Sequence, residues 1–134
     1  MVELTLSSPN ASRELARSLL AALGADGASL AAVLLEMLDR ADAAIAVKEV
    51  ASGQYVHTSA RYAALFGHTP QAMLGRTDAE LMAPPEAAAM RTGELAALTQ
   101  TLPTVSEQRL ERDDQRREFI VTRLMLARTD GGAP

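Results

Sequence analysis

The chain has 134 residues and a net charge of −4, so it is long enough for one domain and too acidic to bind nucleic acid through nonspecific charge. Hydrophobic residues make up 48% of it but aromatic residues only 3%, so leucine, alanine, valine and methionine must fill the core. It contains no cysteine, which excludes disulfides, thiolate catalysis and cysteine-ligated metals and fits a reducing compartment.

The first 40 residues predict two amphipathic helices. Ser8 followed by Pro9 is a helix-start signal, and leucines four positions apart extend that helix to about Leu23. The second helix covers residues 28–40 and has one broad apolar face, which either covers a sheet or also forms a homodimer seam. The apolar run is too short to cross a membrane, and no signal peptide is visible, so we expect a cytoplasmic protein.

A β-hairpin and three very short helices are predicted between residues 43 and 81. The strands cover residues 43–50 and 54–58 and join through a turn at Gly53. The helix-cap signals that follow are Ser59 with Gly67, Thr69 with Pro70 and Gly75, and the capping box of Thr77 and Glu80. Because helices this short are unstable alone, we expect them to lie on a sheet.

A longer helix and a second hairpin complete the pattern. The helix covers residues 84–99, and strands follow at residues 104–112 and 117–127 with turn residues between them. One face of the last strand carries Phe119, Val121, Arg123 and Met125, and the other carries Ile120, Thr122, Leu124 and Leu126. Because both faces are largely apolar, we expect this strand to be covered on both sides, with the N-terminal helices on one of them.

The first hairpin and the short helices resemble the PAS sensory domain family. The similar positions are Val47-Lys48-Glu49, Gly53, Tyr55, Ser59, Tyr62, Leu65-Phe66-Gly67 and Met73-Leu74-Gly75-Arg76-Thr77-Asp78. The resemblance covers roughly residues 38–131, since residues 119–131 resemble the paired strands that end the fold. It implies an α+β fold of the bacterial signal-transduction type, with an antiparallel sheet that is five-stranded in the family and flanked by short helices. We therefore assign residues 1–40 to a helical segment that flanks or dimerises, and residues 41–134 to a PAS-like sensor domain.

Two positions depart from the family pattern. Ser59-Ala60 stands where the family usually has Asn-Pro; serine can cap the helix, but the role of the Asn amide in linking hairpin and helix is open. The central fifth strand has no counterpart before Pro134, which implies a C-terminally truncated domain. A partner chain, a shifted helix or a repaired sheet would then fill the gap beside the first and last strands, unless the strand count is off by one.

The resemblance also implies a small-molecule pocket between the sheet and the helices. Its expected ligand-binding residues are Tyr62, Met73, Leu81, Met82, Met90, Leu98, Phe119, Val121, Arg123 and Met125. Alternatively, these side chains simply fill a core. Arg123 is the most informative of them, because a cation that faces inward needs a counter-charge. That could be a ligand carboxylate or phosphate, or Glu94 or another acid, unless the side chain reaches solvent at the sheet edge.

No cofactor is expected, so the purified protein should be colourless. The missing cysteine excludes a cysteine-adduct flavin, and the helix at residues 84–99 offers no histidine to a haem. His57 and His68 stand apart, which argues against a metal site and against catalysis. The charged run 112–117 is interpreted as a solvated hairpin tip, or alternatively as a docking site for a partner.

These observations and the resemblance predict a sensory or regulatory domain, not an enzyme, of a cytoplasmic signal-transduction or transcription-regulatory protein. It would bind a small-molecule ligand, form a homodimer and relay the signal to an effector domain that follows Pro134, such as a kinase or a diguanylate cyclase. Direct binding to nucleic acid or to a membrane is not expected. The alternative is a ligand-free PAS module for dimerisation or protein interaction.

Overall fold

The computed structural model describes residues 26–100 and 103–125, together with residues 14, 17, 18, 20–22 and 24. The chain divides into two compact units, Met1–Ala44 and Ile45–Pro134. Most of the first predicted helix lies outside the described residues, although those of its members that are described, residues 14, 17, 18 and 20–22, are helical. The assignment of residues 1–40 to a separate segment stays a prediction.

In the first unit, helix α1 spans Gly27–Arg40, close to its predicted bounds. Asp26 caps it, because its carboxylate accepts a hydrogen bond from the Ser29 N–H at 2.6 Å. That bond lowers the pKa of the Asp26 carboxyl. No residue of α1 is buried, and its apolar face is exposed at Val33, Leu34, Met37 and Leu38. The apolar periodicity predicted this helix correctly. Whether its apolar face covers a sheet or also forms a homodimer seam stays open.

The second unit begins with a hairpin of strands β1 (Ala46–Lys48) and β2 (Tyr55–Thr58). Its antiparallel pairing is interrupted by an irregularity between Val47 and Lys48. Such a bulge ends regular pairing early, which fits a first strand shorter than predicted. Gly53 lies in the turn with φ of +71°, a conformation that glycine adopts without steric cost.

Three short helices follow where the cap signals predict them. They are α2 (Ala60–Leu65), α3 (Pro70–Met73) and α4 (Asp78–Leu81). At the start of α3, the Thr69 hydroxyl accepts a hydrogen bond from the Ala72 N–H at 3.3 Å. At the start of α4, the Glu80 carboxylate accepts one from the Thr77 N–H at 2.8 Å. These bonds satisfy backbone donors that the first turn of a helix leaves free.

Ser59, which stands where the family usually has Asn, links the first hairpin to helix α2. Its Oγ accepts hydrogen bonds from the Tyr62 N–H at 3.2 Å and from the Ile45 N–H at 3.0 Å. The Ser59 N–H also donates to the Ile45 carbonyl at 2.8 Å. One serine therefore caps α2 and ties it to the residue that precedes β1.

The short helices are attached to the sheet through the backbone of Tyr55. The Tyr55 N–H donates to the Arg76 carbonyl at 3.0 Å, and the Tyr55 carbonyl accepts from the Gly75 N–H at 2.8 Å. This pair of bonds makes a parallel bridge between β2 and Leu74, at the end of α3. The expectation that the short helices lie on a sheet is confirmed at the end of α3.

The remaining elements are the long helix α5 (Pro84–Leu98) and strands β3 (Thr104–Arg112) and β4 (Gln115–Arg123). The two strands pair in unbroken antiparallel register over their full length. Asp113 and Asp114 form the two-residue turn, with φ of +50° and +58°. Positive φ at both positions is the pattern of a type I′ hairpin turn.

The predicted alternation of β4 is confirmed, but the predicted cover on both of its faces is wrong. The inner face carries Phe119, Val121 and Arg123, which are partly buried and lie on the same face of the hairpin as the buried Leu110 of β3. The outer face exposes Val105, Ile120 and Leu124 by 68%, 78% and 57%. Apolar side chains on a surface need no cover in themselves, because much of the surface of a folded protein is apolar. Leu126 lies outside the described residues.

Four strands form two separate two-stranded sheets within the described residues, β1–β2 and β3–β4, and none of these strands joins β1 to β4. The α+β class is confirmed, whereas truncation and the filling of the gap stay predictions. The core of the second unit is one cluster of buried residues: Tyr55, Ala63, Phe66, Met73, Leu81, Met90 and Leu110. It joins both hairpins to the helices between them.

Candidate functional site

Most of the predicted pocket residues pack together. Three are buried members of the core cluster and three pack against it: Met73, Leu81, Met90, Tyr62, Met82 and Phe119. The other four are partly buried and lie outside that cluster: Leu98, Val121, Arg123 and Met125. This packing is what the core-filling alternative expects of the apolar members. The polar groups beside them form the candidate site.

A chain of polar side chains connects β1, β2 and three helices. The Tyr55 hydroxyl donates a hydrogen bond to Asp78 at 2.6 Å, and it lies 3.1 Å from the Tyr62 hydroxyl. Because Tyr55 gives its proton to the carboxylate, Tyr62 must be the donor in the second bond. Lys48 extends the chain, since its ammonium donates both to Asp78 and to Glu94 on α5. Its Nζ also lies 4.6 Å from the centre of the Tyr55 ring.

The charged part of this chain is largely shielded from water. The exposed fractions of the Lys48, Asp78 and Glu94 side chains are 14%, 12% and 25%. One cation faces two carboxylates, so the three groups carry one excess negative charge. Shielded charges are costly unless they are paired and hydrogen bonded, and here Lys48 serves both carboxylates.

Burial shapes the acid–base behaviour of the two tyrosines. It is the main reason that the pKa of Tyr55 is raised above its ordinary value, and the neighbouring Tyr62 and Asp78 add to this effect. Burial also raises the pKa of Tyr62, where the charges of Asp78 and Glu94 act in the same direction and that of Arg123 opposes them. Both side chains are therefore neutral hydrogen-bond donors at physiological pH. The Tyr62 hydroxyl is influenced both by the negative charges of Asp78 and Glu94 and by the positive charge of Arg123.

Arg123 faces inward, as its alternation predicts, but no carboxylate pairs with it in the described part of the chain. Its guanidinium donates to the Ser106 hydroxyl at 3.1 Å and to the side-chain amide oxygen (Oε1) of Gln108 at 2.9 Å. The Gln108 amide nitrogen in turn donates to the Met90 sulfur at 2.8 Å. On the other side the guanidinium lies against α5, where a Cβ built on Gly93 would be 2.7 Å from its central carbon.

One face of α5 brings these two groups of side chains together. Met90, Gly93 and Glu94 are three and four positions apart and so lie on the same side of the helix. Glu94 reaches Lys48 on the first sheet, while Met90 and Gly93 contact the second sheet through Gln108 and Arg123. We call these three residues the α5 contact face. It links two sheets whose described strands share no hydrogen-bonded pairing.

Sequence reasoning found part of this arrangement. It singled out Arg123, and it named Glu94 as a possible counter-charge, but Glu94 instead binds Lys48. It missed Ser106 and Gln108 as partners of Arg123. The available signal was Gly93, since a glycine inside a helix costs stability and commonly marks a close approach.

The two histidines occupy separate positions. His57 is exposed on β2, and the His68 Nε2 lies 3.0 Å from the Leu81 carbonyl oxygen. In the residues that the structure describes, no three His, Cys, Asp or Glu side chains group in a way that could hold a metal ion. Expectations about metals and cofactors stay predictions.

The tip of the second hairpin contacts the helices as well as solvent. Arg112 donates to the Leu65 carbonyl at 3.1 Å, so it caps the last turn of α2. Its guanidinium lies against Gly67, where an added Cβ would be 3.2 Å from the guanidinium carbon. A cleft of about 200 Å³ lies beside it and is lined by Ala64, Leu65, Leu110, Arg112, Asp113, Gln115 and Arg117. Docking of a partner at this tip stays a prediction.

The fold and the site define an α+β domain whose helices and hairpins surround a polar cluster. The family described as the PAS fold matches residues 38–134, which is most of the chain, and the chain therefore belongs to that family. This places it among sensory and protein-interaction modules. No curated protein and no solved structure matches the chain significantly. Within the described residues, none of the helices has the length and apolar character needed to cross a membrane.

Proposed function

We propose that this PAS domain is the sensor of a cytoplasmic signal-transduction or transcription-regulatory protein. It binds a small molecule between sheet and helices and passes the signal to a separate effector. In this proposal it acts as a homodimer, uses no haem or flavin, and has no catalytic activity of its own.

The α5 contact face is the observation that supports this proposal. Glu94 bonds to the first sheet and Gly93 touches the second, so a ligand that engages either partner changes the position of one helix relative to both hairpins. A ligand can shift such an equilibrium only through a difference in affinity for the two arrangements. A ligand can replace polar contacts such as that of Glu94 with Lys48. It can gain a difference in affinity there more readily than in the packed apolar core.

The test is a ligand screen followed by mapping of the binding site. Native mass spectrometry of the purified chain, and then amide chemical-shift perturbation with any ligand found, would locate the site. We expect shifts centred on residues 90–94, Lys48 and Arg123. Shifts confined to α1 or to the turn at residues 113 and 114 would place binding elsewhere and contradict the proposed site.

The second candidate is a ligand-free interaction module, and the packed core favours it. Three of the ten predicted pocket residues belong to the core cluster and three more pack against it, and α1 and β4 both expose apolar side chains. Sedimentation equilibrium measured with and without the α1 substitution Met37→Glu distinguishes the candidates. A dimer that this change dissociates, combined with no ligand in any screen, would favour the interaction module over the sensor.

A further inference from the structure

We propose that the ligand of this domain is a small zwitterion of the α-amino-acid type, with its carboxylate on Arg123 and its ammonium on Glu94. This inference rests on the proposed sensory function and adds the chemical class of the ligand. It follows from the way in which the α5 contact face separates two centres of opposite charge.

The positive centre is Arg123. A guanidinium carries five N–H donors, and in the described residues Arg123 directs one to Ser106 and one to Gln108. Both acceptors are neutral, so hydrogen bonding leaves its charge without a carboxylate. The Gln108 side-chain nitrogen donates to the Met90 sulfur, which orients the side-chain amide oxygen toward the guanidinium. Arginine in a fixed orientation with free donors is suited to bind a carboxylate through two bonds.

The negative centre is Glu94. Lys48 and Tyr55 occupy both oxygens of Asp78, whereas among the described residues only Oε1 of Glu94 accepts a hydrogen bond, from Lys48. The excess negative charge of the group therefore has an open acceptor at Oε2 of Glu94. The Glu94 side chain is 25% exposed, so an incoming ammonium group can reach it.

The two centres are neighbours along α5. The Arg123 guanidinium lies against Gly93, and Glu94 is the next residue of the helix. The absence of a side chain at Gly93 is what permits this approach, since a Cβ there would be 2.7 Å from the guanidinium carbon. The charges of Glu94 and Arg123 also act on the same Tyr62 hydroxyl, in opposite directions. Because the two centres meet α5 at consecutive positions, we expect a ligand whose two charged groups are close to each other.

Charge balance selects a zwitterion over an anion or an amine. Lys48 and Arg123 together match Asp78 and Glu94, so the whole cluster is electroneutral. A simple carboxylate would leave an excess negative charge in a partly shielded site, and a simple amine would leave an excess positive one, both of which are costly. A zwitterion preserves neutrality, gives Arg123 a carboxylate and gives the second oxygen of Glu94 a donor.

Access to the cluster does not require an enclosed cavity. Ser106 is exposed, and Arg123 and Gln108 are only partly buried. A small ligand can therefore reach the Arg123 guanidinium from solvent.

The experiment uses matched ligands on the complete 134-residue chain. The common L-amino acids are screened by saturation-transfer NMR, and the tightest binder is titrated by calorimetry beside its des-amino acid and its decarboxylated amine. We expect each analogue to bind at least about tenfold more weakly than the amino acid, because each loses one charged contact. A des-amino acid that binds as tightly as its parent would overturn the zwitterion, and so would failure of every amino acid.

Variants assign the two contacts. Arg123→Gln should weaken the amino acid and its des-amino analogue, whereas Glu94→Gln should weaken the amino acid and the amine. Arg116→Gln, at an exposed arginine of the hairpin tip, is the matched control and should leave binding unchanged. Gly93→Ala serves as a second route to the Arg123 contact if Arg123→Gln does not fold. Retained affinity in the folded Arg123→Gln or Gly93→Ala protein would overturn the assignment.

A parallel screen separates this inference from the function on which it rests. The same chain is offered a mixture of carboxylates, phosphate esters, amines and aromatic heterocycles. Binding of one of these without any amino acid would reject the zwitterion and leave the sensory function standing. If no compound of any class binds, both the zwitterion and the sensory function are rejected.

Discussion

Gly93 and Arg123 are in contact because residue 93 has no side chain: a Cβ built there would lie 2.7 Å from the guanidinium carbon. Glycine inside a helix costs about 1 kcal/mol relative to alanine, so α5 gives up intrinsic stability at this point. The guanidinium takes the place that a side chain would occupy and bonds to Ser106 and Gln108 on the neighbouring strand. This contact makes a direct energetic test possible.

The substitution Gly93→Ala should fail to give the gain of about 1 kcal/mol that helix propensity alone predicts, because the new methyl group displaces Arg123 from its hydrogen bonds. In an Arg123→Ala background the same substitution should stabilise the protein by about 1 kcal/mol. Urea unfolding of the four proteins of this double-mutant cycle measures the coupling. Equal effects of Gly93→Ala in both backgrounds would show that the two residues do not interact.

The ion pairs of Lys48 should contribute far more than those on the surface. Lys48→Met leaves two shielded carboxylates without their cation, and we expect a loss of about 3 kcal/mol in the free energy of unfolding. The control is Arg109→Met, which removes the cross-strand pair with Glu118, whose side chains are 68% and 64% exposed. That change should cost less than about 1 kcal/mol. Similar losses in the two variants would contradict the shielding of the Lys48 cluster.

Local sequence signals predicted most of the helices and strands but not the polar cluster around Lys48. The caps at Ser59 and Thr69 and the alternation of β4 act over a few residues, so they can be read directly from the chain. The partners of Lys48 are 30 and 46 positions away, at Asp78 and Glu94, and no local pattern connects them. Their meeting depends on how α5 lies across the sheets, which is decided by packing.

The expected cover on both faces of β4 shows a second limit. Apolar residues such as Ile120 were taken to require burial, yet Ile120 is 78% exposed. A period of two predicts which side chains share a face, but not whether another element covers that face. The separation of β1–β2 from β3–β4 is likewise a matter of tertiary packing, and the sequence pattern of each hairpin would be the same in one continuous sheet.

Substitutions in the turn between β3 and β4 should increase the stability of the protein. Asp113 and Asp114 both have positive φ, which costs energy for residues with a side chain, and Asn-Gly is the pair best suited to this turn. The double substitution Asp113→Asn with Asp114→Gly should stabilise the protein by about 1–2 kcal/mol in thermal or urea unfolding. Gly53→Ala, at φ of +71° in the first hairpin, is the opposite control and should destabilise it by about 1 kcal/mol. A destabilised Asn-Gly variant would mean that the two carboxylates make contacts that the turn needs.

Glu80 should make stability depend on pH. Hydrogen bonds from the Thr77 N–H, and then from its hydroxyl, lower the pKa of this carboxyl below its ordinary value of 4.5. A carboxyl whose pKa is lower in the folded state stabilises the fold above its unfolded pKa, and the effect is lost as the pH falls through the folded pKa. The stability difference between the wild type and Glu80→Gln should therefore be present at pH 7 and shrink in acid. Unfolding measured between pH 7 and pH 3 checks this, and a difference that stays constant with pH would contradict it.

Ser59 should be worth more than an ordinary helix cap, because its Oγ accepts from both Tyr62 and Ile45. We expect Ser59→Ala to lower the free energy of unfolding by about 2 kcal/mol, roughly one for the cap and one for the link to the hairpin. Thr69→Ala, which removes a single exposed cap bond, is the matched control and should cost about 1 kcal/mol or less. Ser59→Asn offers an amide oxygen to the same donors and should recover most of the loss. If Ser59→Ala and Thr69→Ala proved equally mild in urea unfolding, the bond to Ile45 would contribute nothing, and α2 would be held on the first hairpin by packing alone.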